Sequence, residues 1–548
     1  MTGSERLRSP EELQTDICVI GAGPAGISFA HEYVGRSTGV VVVESGSYEY
    51  DTRAQELSRG EANSKHYAGD ALSVGRRRQF GGTSNLWVYR TLPGSGRRYA
   101  RSLPPQAIDF EARDNDTTGG WPFPVTAIEP HYERAQALWN GGPFDYDVRS
   151  WADAGSLPIQ FNDDVLTTQM CQHGPADVYA LRYRDDLLAA ENVTIQLGCT
   201  VLQLEWDTRR AAVRRAWIAR EDGSTYSITA KAFVLAAGGV ENVQLLLLSD
   251  ASRPGGPANL HDNVGRYVTD HPEFRMGTIK LADRTVPERL GLYDMRWVGP
   301  SLVSAYLTIT EDIKRNEGLL NLSGVLVPQP AQFGSPAHRS ISSLLALRRG
   351  EVDTGLLSHV RSIVGSPREA ASVLGLRGER YKEFSGGWSR PEVHSQAFGA
   401  IEVHAATEQT SDRHNQITLG AARDRLGRRQ PVLHWRWSDS DQDNVGRSIA
   451  IFAAQMQDAG LGHFTQWVDF DGARRPYSAG LHHPMGGTRI HPDAHYGVVD
   501  ENLLVHGTGN LYVAGSSVFP SGHGYANPTL SIIALAIRLA DHLKIVVG

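Results

Sequence analysis

Short apolar runs punctuated by glycine dominate the amino-terminal part of the chain. Ile17 to Ile20 read as a buried strand, a glycine turn follows, and a helical pattern runs through His31 to Tyr33. Val40 to Val43 then form a second apolar run that ends on Glu44. Strand, turn, helix and strand in this order predict a βαβ unit. The middle of the chain has another rhythm. SLVSAYLTIT (301–310), LLNLSGVLVP (319–328), QAFGAIEVHAAT (396–407) and PVLHWRW (431–437) alternate apolar and polar positions and predict strands of a mostly antiparallel sheet. SDSDQDNVGRSIAIFAAQMQDAG (438–460) has an acidic start and a glycine stop and predicts a helix. Residues 330–390 are rich in Ser, Arg and Gly around a helical middle, which suits a lid or interface insertion as well as a plain surface excursion. Near the carboxyl end, NPTLSIIALAIRLADHL predicts a long helix with Asn527 as N-cap and Pro528 at its first position. It is apolar on most faces, which predicts burial.

A length of 548 residues is too great for one core and predicts two domains. The formal net charge of -7 gives no electrostatic case for nucleic acid. Cys18, Cys171 and Cys199 share no close spacing, so neither a disulfide framework nor a cysteine metal site is expected. No two histidines are read at helical spacing on one face, so no metal site of that kind is expected. The first residues carry no apolar leader, and the last apolar segment is broken by Arg538, Asp541 and Lys544. A cytoplasmic protein without a membrane span is expected.

The turn after the first strand is Gly21-x-Gly23-x-x-Gly26. Gly21 permits the tight turn, Gly23 lets the backbone approach a pyrophosphate, and Gly26 lets helix and strand pack closely. Glu44 falls 18 residues after Gly26, where a carboxylate can accept from a ribose diol. The bland alternative is a glycine turn in an ordinary α/β unit. The motif suits FAD and NAD alike.

RRRQFGGTSNLWVYR (76–90) sets Thr83, Ser84 and Asn85 after two adjacent glycines, so the backbone there can lie close to a planar ligand. VTIQLGCTVLQLEW (193–206), AKAFVLAAGGVENVQLLLLS (230–249), NVGRYVTDHP (263–272), GVVDENLLVHG and NLYVAGSSVFP follow in order. Together these segments resemble the glucose–methanol–choline (GMC) family of flavin oxidoreductases, nearest to the sugar- and polyol-oxidising branch that includes pyranose oxidase. The resemblance is thin over about 275–470. It implies an α/β fold with a discontinuous Rossmann-like FAD-binding domain (12–95, 190–272 and 490–548). A second, α+β substrate-binding domain on a mostly antiparallel sheet would take 96–189 and 273–489. It also implies FAD contacts at Gly21, Gly23, Gly26, Glu44, Gly82, Thr83, Asn85, Val201, Ala237, Gly238, Gly515, Asn527, Pro528 and Thr529. Some members attach FAD to a His in the loop matching 81–88. Here that loop reads GGTSNLWV, so non-covalent FAD is expected, and the local match does not support His66 upstream.

Oxidising an alcohol requires loss of its hydroxyl proton, and imidazole suits that task near pH 7. The resemblance makes His483, in His483-Pro484-Met485-Gly486, the base. It makes Asn527, in Tyr525-Ala526-Asn527-Pro528, the group that orients the substrate oxygen. The helix start behind Asn527 would carry positive dipole charge towards the flavin. His482 could exchange roles with His483, and Asn527 could be only an N-cap. His491, His495, His506 and His523 are expected in loops or at the surface, although His523 could enter the pocket. His394, His404, Glu402 and Trp437 are candidates for a substrate-facing sheet, and Trp121 is expected in the core. The expected activity is FAD-dependent oxidation of a CH–OH group of a sugar, polyol or sugar-containing natural product. Oxygen or a quinone-type acceptor would reoxidise the flavin. A sterol-type or aliphatic alcohol oxidase, and a non-catalytic flavin protein, remain alternatives.

Overall fold

A computed structural model describes residues 12–67, 71–87, 89–90, 98–111, 120–153, 155–161, 164–207, 209, 211–249, 256–283, 285–329, 335–347, 356–375, 386–389, 398–468, 482–522 and 526–548. Two large sheets organise it. In the first, the strand Val193–Gln196 is followed by Val40–Val43, Glu12–Ile20, Thr225–Leu235 and Leu511–Val513, all paired in parallel. Thr225–Leu235 also pairs along its first half with Ala212–Arg220, which forms a hairpin with Cys199–Asp207. The valines at 40–43 are buried on both sides, as a strand inside a covered parallel sheet requires. Ile20 is level with Val43 and Leu235, and Leu235 with Val513. Four carboxyl ends therefore finish at one edge, the usual ligand edge of an open parallel sheet. The helices Pro24–His31 and Thr529–Val546 pack together beside this sheet, and the Tyr33 hydroxyl donates to the Ala540 carbonyl at 3.3 Å.

The second sheet has nine strands, every pair antiparallel. Its order is Gly462–Gln466, Glu273–Leu281, Ala400–Thr407, Leu322–Gln329, Ser301–Ile309, Leu166–Pro175, Arg98–Ser102 and Tyr89–Arg90, with Arg296–Val298 paired to Ser301–Ile309. One face is covered by the helix Asp439–Asp458, which Ser438 caps by accepting from the Asp441 amide at 3.0 Å. Val445, Ile449, Phe452 and Met456 are buried along that helix. A Cβ at Gly324 would lie 2.8 Å from the Phe452 ring, so the sheet and helix meet closely there.

The α/β architecture with an antiparallel second sheet is as expected. Two expectations need correction. The run at 431–437 does not join the large antiparallel sheet. Arg429–His434 instead lies between Gln416–Arg423 and, in parallel, Glu61–Asn63 in a separate three-stranded sheet. Alternation marks a strand but says nothing about its partner. The last helix begins at Thr529, with Pro528 as its cap, rather than with Asn527 as the cap. The Pro528 carbonyl accepts the first helical bond, from the Ile532 amide at 2.8 Å. The 330–390 segment shows helices at Pro336–Leu347, Leu356–Gly365 and Pro367–Gly375. Among the described residues no helix is long and apolar enough to cross a membrane.

Candidate active site

One cleft, about 1300 Å³ of space partly open to solvent, runs along the carboxyl edge of the parallel sheet. Gly21, Gly23, Glu44, Gly82, Thr83, Val201, Ala237, Gly238, Gly515, Pro528 and Thr529 line it, and so do His482 and His483. Gly26, Asn85 and Asn527 do not. Gly26 acts underneath, since a Cβ there would fall 2.0 Å from the Gly21 carbonyl oxygen. Asn85 braces its own loop, donating to the carbonyls of Phe80 and Gly82 at 2.9 and 3.0 Å.

The end beside the glycine turns is built from backbone. Gly21 has φ 109°, and a Cβ there would meet the Ala236 carbonyl oxygen at 2.5 Å. A Cβ at Gly82 would sit 2.8 Å from Gly23 Cα, so the two glycine loops close on one another. By contrast, a Cβ at Gly23 would find nothing nearer than 3.9 Å, which leaves the helix start open to a ligand. Glu44 is buried and accepts from the Ala22 and Gly46 amides at 2.9 and 2.8 Å. Burial raises its pKa above the ordinary carboxylate value, against those hydrogen bonds and the charge of Arg78. Beyond it, Arg76, Arg78 and Arg428 gather around Glu241, all buried or nearly so. Arg428 is paired with Asp424 at 2.8 Å, so three guanidiniums meet two carboxylates, and all three arginines line the cleft as donors. That donor set, with the open helix start, fits a diphosphate-bearing dinucleotide such as FAD.

The end beside His483 is built from side chains. Thr269 and Met485 exchange two backbone hydrogen bonds of 3.0 Å, and this antiparallel register sets residue 271 across from residue 483. Gly486, at φ 89°, makes the turn that follows, and a Cβ there would strike the Tyr267 carbonyl oxygen at 2.1 Å. His483 Nδ1 lies 3.1 Å from His271 Nδ1. Asp270 Oδ1 accepts from the amides of His483 and His271 at 2.8 and 2.9 Å, and its Oδ2 accepts from the Tyr67 hydroxyl at 2.7 Å. Burial, then electrostatic repulsion of a second charge beside His271, His482 and Arg101, holds the His483 pKa well below the ordinary histidine value. The imidazole is therefore neutral and able to take a proton.

Asn527 does not turn back onto its helix. Its Oδ1 accepts from Arg101 Nη2 at 3.4 Å, which leaves the amide NH₂ as the group available to another acceptor. Arg101 thus acts on both candidates, by a hydrogen bond to Asn527 and by its charge on His483. On the same sheet face stand Cys171, His173 and Ser304, whose Oγ is 3.1 Å from Cys171 Sγ and 3.0 Å from His173 Nε2.

The other candidates fall into place as follows. His404 Nε2 is 3.1 Å from a carboxylate oxygen of the fully buried Glu402. Trp437 and Trp121 are core residues, packed on Phe274 and on Phe110 and Phe519. His66 packs edge-to-face with Trp435 and does not line the cleft. His523 and His394 lie outside the described residues. His491 and His495 are four apart after all, but in a turn around Asp493 rather than on a helix. Among the described residues no three His, Cys, Asp or Glu side chains could together hold a metal ion. Sequence reasoning missed His271, Asp270, Tyr67 and Arg101. The one available signal was the Asp270-His271 pair, and nothing local marked Arg101.

Residues 411–536 match the GMC oxidoreductase C-terminal family model. The fructose dehydrogenase large subunit of Gluconobacter japonicus is 26% identical over 58% of this chain and 48% of its own length. The chain thus spans about half of that relative. The 6'''-hydroxyparomomycin C oxidase of Streptomyces lividus is 24% identical over 96% of this chain and 92% of its own. A solved fungal aryl-alcohol oxidase superposes with a TM-score of 0.51 and 13% identity, over 98% of this chain and 99% of the other.

Proposed function

We propose that the chain is an oxidoreductase of the GMC type, as the match over 411–536 supports, and that it binds FAD non-covalently and oxidises a CH–OH group of a sugar, polyol or sugar-containing natural product. The observation that carries this reading is one cleft holding the Gly21/Gly23 turn, the Gly82–Thr83 loop, His483 and the start of the last helix. Two relatives whose names specify fructose and an aminoglycoside support a carbohydrate substrate. The seven-stranded sheet supports an FAD-binding domain drawn from 12–95, 190–272 and 490–548. The nine-stranded sheet supports a substrate-binding domain from 96–189 and 273–489, although Tyr89–Arg90 pairs with that second sheet.

Gly21, Gly23 and Glu44 would hold the nucleotide, with Val201 at the adenine, Ala237 and Gly238 at the diphosphate, and Gly82, Thr83, Gly515, Pro528 and Thr529 nearer the ring. Bound FAD supplies the acceptor for the two electrons that leave the substrate carbon. His483 takes the hydroxyl proton as the carbonyl forms. The Asn527 amide donates to the substrate oxygen and fixes its position. The absence of a histidine in the described loop 81–87 supports non-covalent attachment. Oxygen or a quinone-type compound would restore the flavin.

The test is anaerobic mixing of FAD-loaded enzyme with D-fructose, 6'''-hydroxyparomomycin C and a panel of polyols and simple alcohols. Loss of the flavin's visible band with a sugar or polyol is expected, and His483→Ala should slow it by roughly 10²–10⁴-fold. Bleaching by simple alcohols alone would replace the carbohydrate reading. Unchanged bleaching by the variant would remove the base. Acid precipitation should leave the flavin in the supernatant.

A further inference from the structure

One buried side chain outside the assigned set touches the proposed base directly. His271 is 3% exposed, and each of its ring nitrogens has a partner. We propose that His271 is a positioning residue that holds His483 in its Nδ1–H tautomer and so leaves Nε2 as the one nitrogen able to accept a proton. This deepens the reading of His483 as base and rests on it.

The argument is one of donors and acceptors. His271 Nε2 lies 2.5 Å from the Gly522 carbonyl oxygen. A carbonyl can only accept, so Nε2 carries a hydrogen. Burial, with the charge of Arg101, pushes the His271 pKa down, opposed by the Gly522 bond, Asp270 and Glu408. A neutral His271 has one ring hydrogen, and the carbonyl has already fixed it on Nε2. Its Nδ1 is then a bare lone pair, 3.1 Å from His483 Nδ1. One of two facing nitrogens must donate, and only His483 can. A neutral His483 that spends its hydrogen on Nδ1 has a bare Nε2.

The same contact serves the protonated state. When His483 gains a proton on Nε2, its Nδ1–H still points at a lone pair, so the new imidazolium keeps a charge-assisted hydrogen bond. A protonated His271 would reverse this, turning an N–H towards His483 and forcing the other tautomer. The charged or titratable groups around the pair are Asp270, Glu408, Arg101 and His482. Asp270 also anchors the backbone of both residues, so their separation does not depend on the imidazole contact alone.

Two measurements decide the matter. The first uses wild-type holoenzyme with isotope-labelled histidine, read by long-range nitrogen–proton correlation at neutral pH. The signal of residue 483 is identified as the one lost in His483→Asn. The Nδ1–H form is expected, and an Nε2–H form overturns the proposal whether or not a substrate is known. The second compares FAD-loaded His271→Asn and His271→Leu with wild type, using D-fructose and 6'''-hydroxyparomomycin C as probes. His271→Asn keeps an acceptor and a donor and should retain at least about a tenth of the bleaching rate, whereas His271→Leu should lose ~10²-fold, the scale of general-base assistance. Equal losses in both variants with FAD retained would mean a packing role and sink the tautomer claim. No loss in either would do the same. His483→Ala in the same assay separates the two levels: if it keeps the wild-type rate, the base reading itself fails.

Discussion

The two ends of the cleft are built by different means. At the proposed nucleotide end the shape comes from backbone: glycines at positions that a Cβ would block, parallel strands ending level, and an open helix start. At the proposed catalytic end it comes from side chains, with His483, His271, Asp270, Tyr67, Arg101 and Asn527 each holding another. A backbone device tolerates almost no added volume but is indifferent to most neighbouring chemistry. A side-chain network tolerates changes of shape but depends on the donor or acceptor character of every member. The difference explains why the glycine turns can be read as a motif, whereas the partners of His483 and Asn527 cannot.

Substitutions should separate the two ends. The largest effect is expected at the nucleotide end from Gly26→Val, whose Cβ would overlap the Gly21 carbonyl oxygen. Flavin should be absent from the purified protein, and a normal flavin spectrum would show that this turn is more pliable than its geometry implies. At the catalytic end, Arg101→Met should leave FAD bound while removing the donor to Asn527 and a cation that depresses the His483 pKa. KM should rise about tenfold, the scale of one charge-assisted hydrogen bond, and the acid limb of kcat/KM should move to higher pH. An acid limb that moves down would contradict the assigned sign.

Acid should also weaken the catalytic side of the molecule through its buried histidines. Burial, then Arg101, pushes His173 down to about 3 from its ordinary 6.5, and His271 and His483 are lowered too. These groups are neutral in the fold and protonate first in the unfolded chain. Stability is therefore complete above pH 6.5 and falls as the pH drops towards each folded pKa, by roughly 1.4 kcal/mol per unit for each such histidine. Urea midpoints at pH 7 and pH 5 should differ accordingly, and His173→Gln should flatten the slope. The smallest effect belongs to the half-exposed ion pairs of Arg134 with Glu32 and Asp541 beside the last helix. Arg134→Ala should cost no more than about 1 kcal/mol and weaken further with added salt.

Local physics made much of this protein readable in advance. The strands at 17–20 and 40–43, the glycine turn between them, the helix at 439–458 and several strands of the antiparallel sheet follow from periodicity, caps and the backbone freedom of glycine. Those requirements act between residues close in the chain, so sequence alone states them. The partner of the 429–434 strand, the true start of the last helix and the company of His483 were beyond that reach. His271 is 212 residues from His483, and Arg101 is 426 from Asn527. Hydrogen-bond direction and burial between such distant groups arise only when the two sheets fold against one another. The tertiary structure therefore decided which histidine neighbours the proposed base and which nitrogen of that base is left bare.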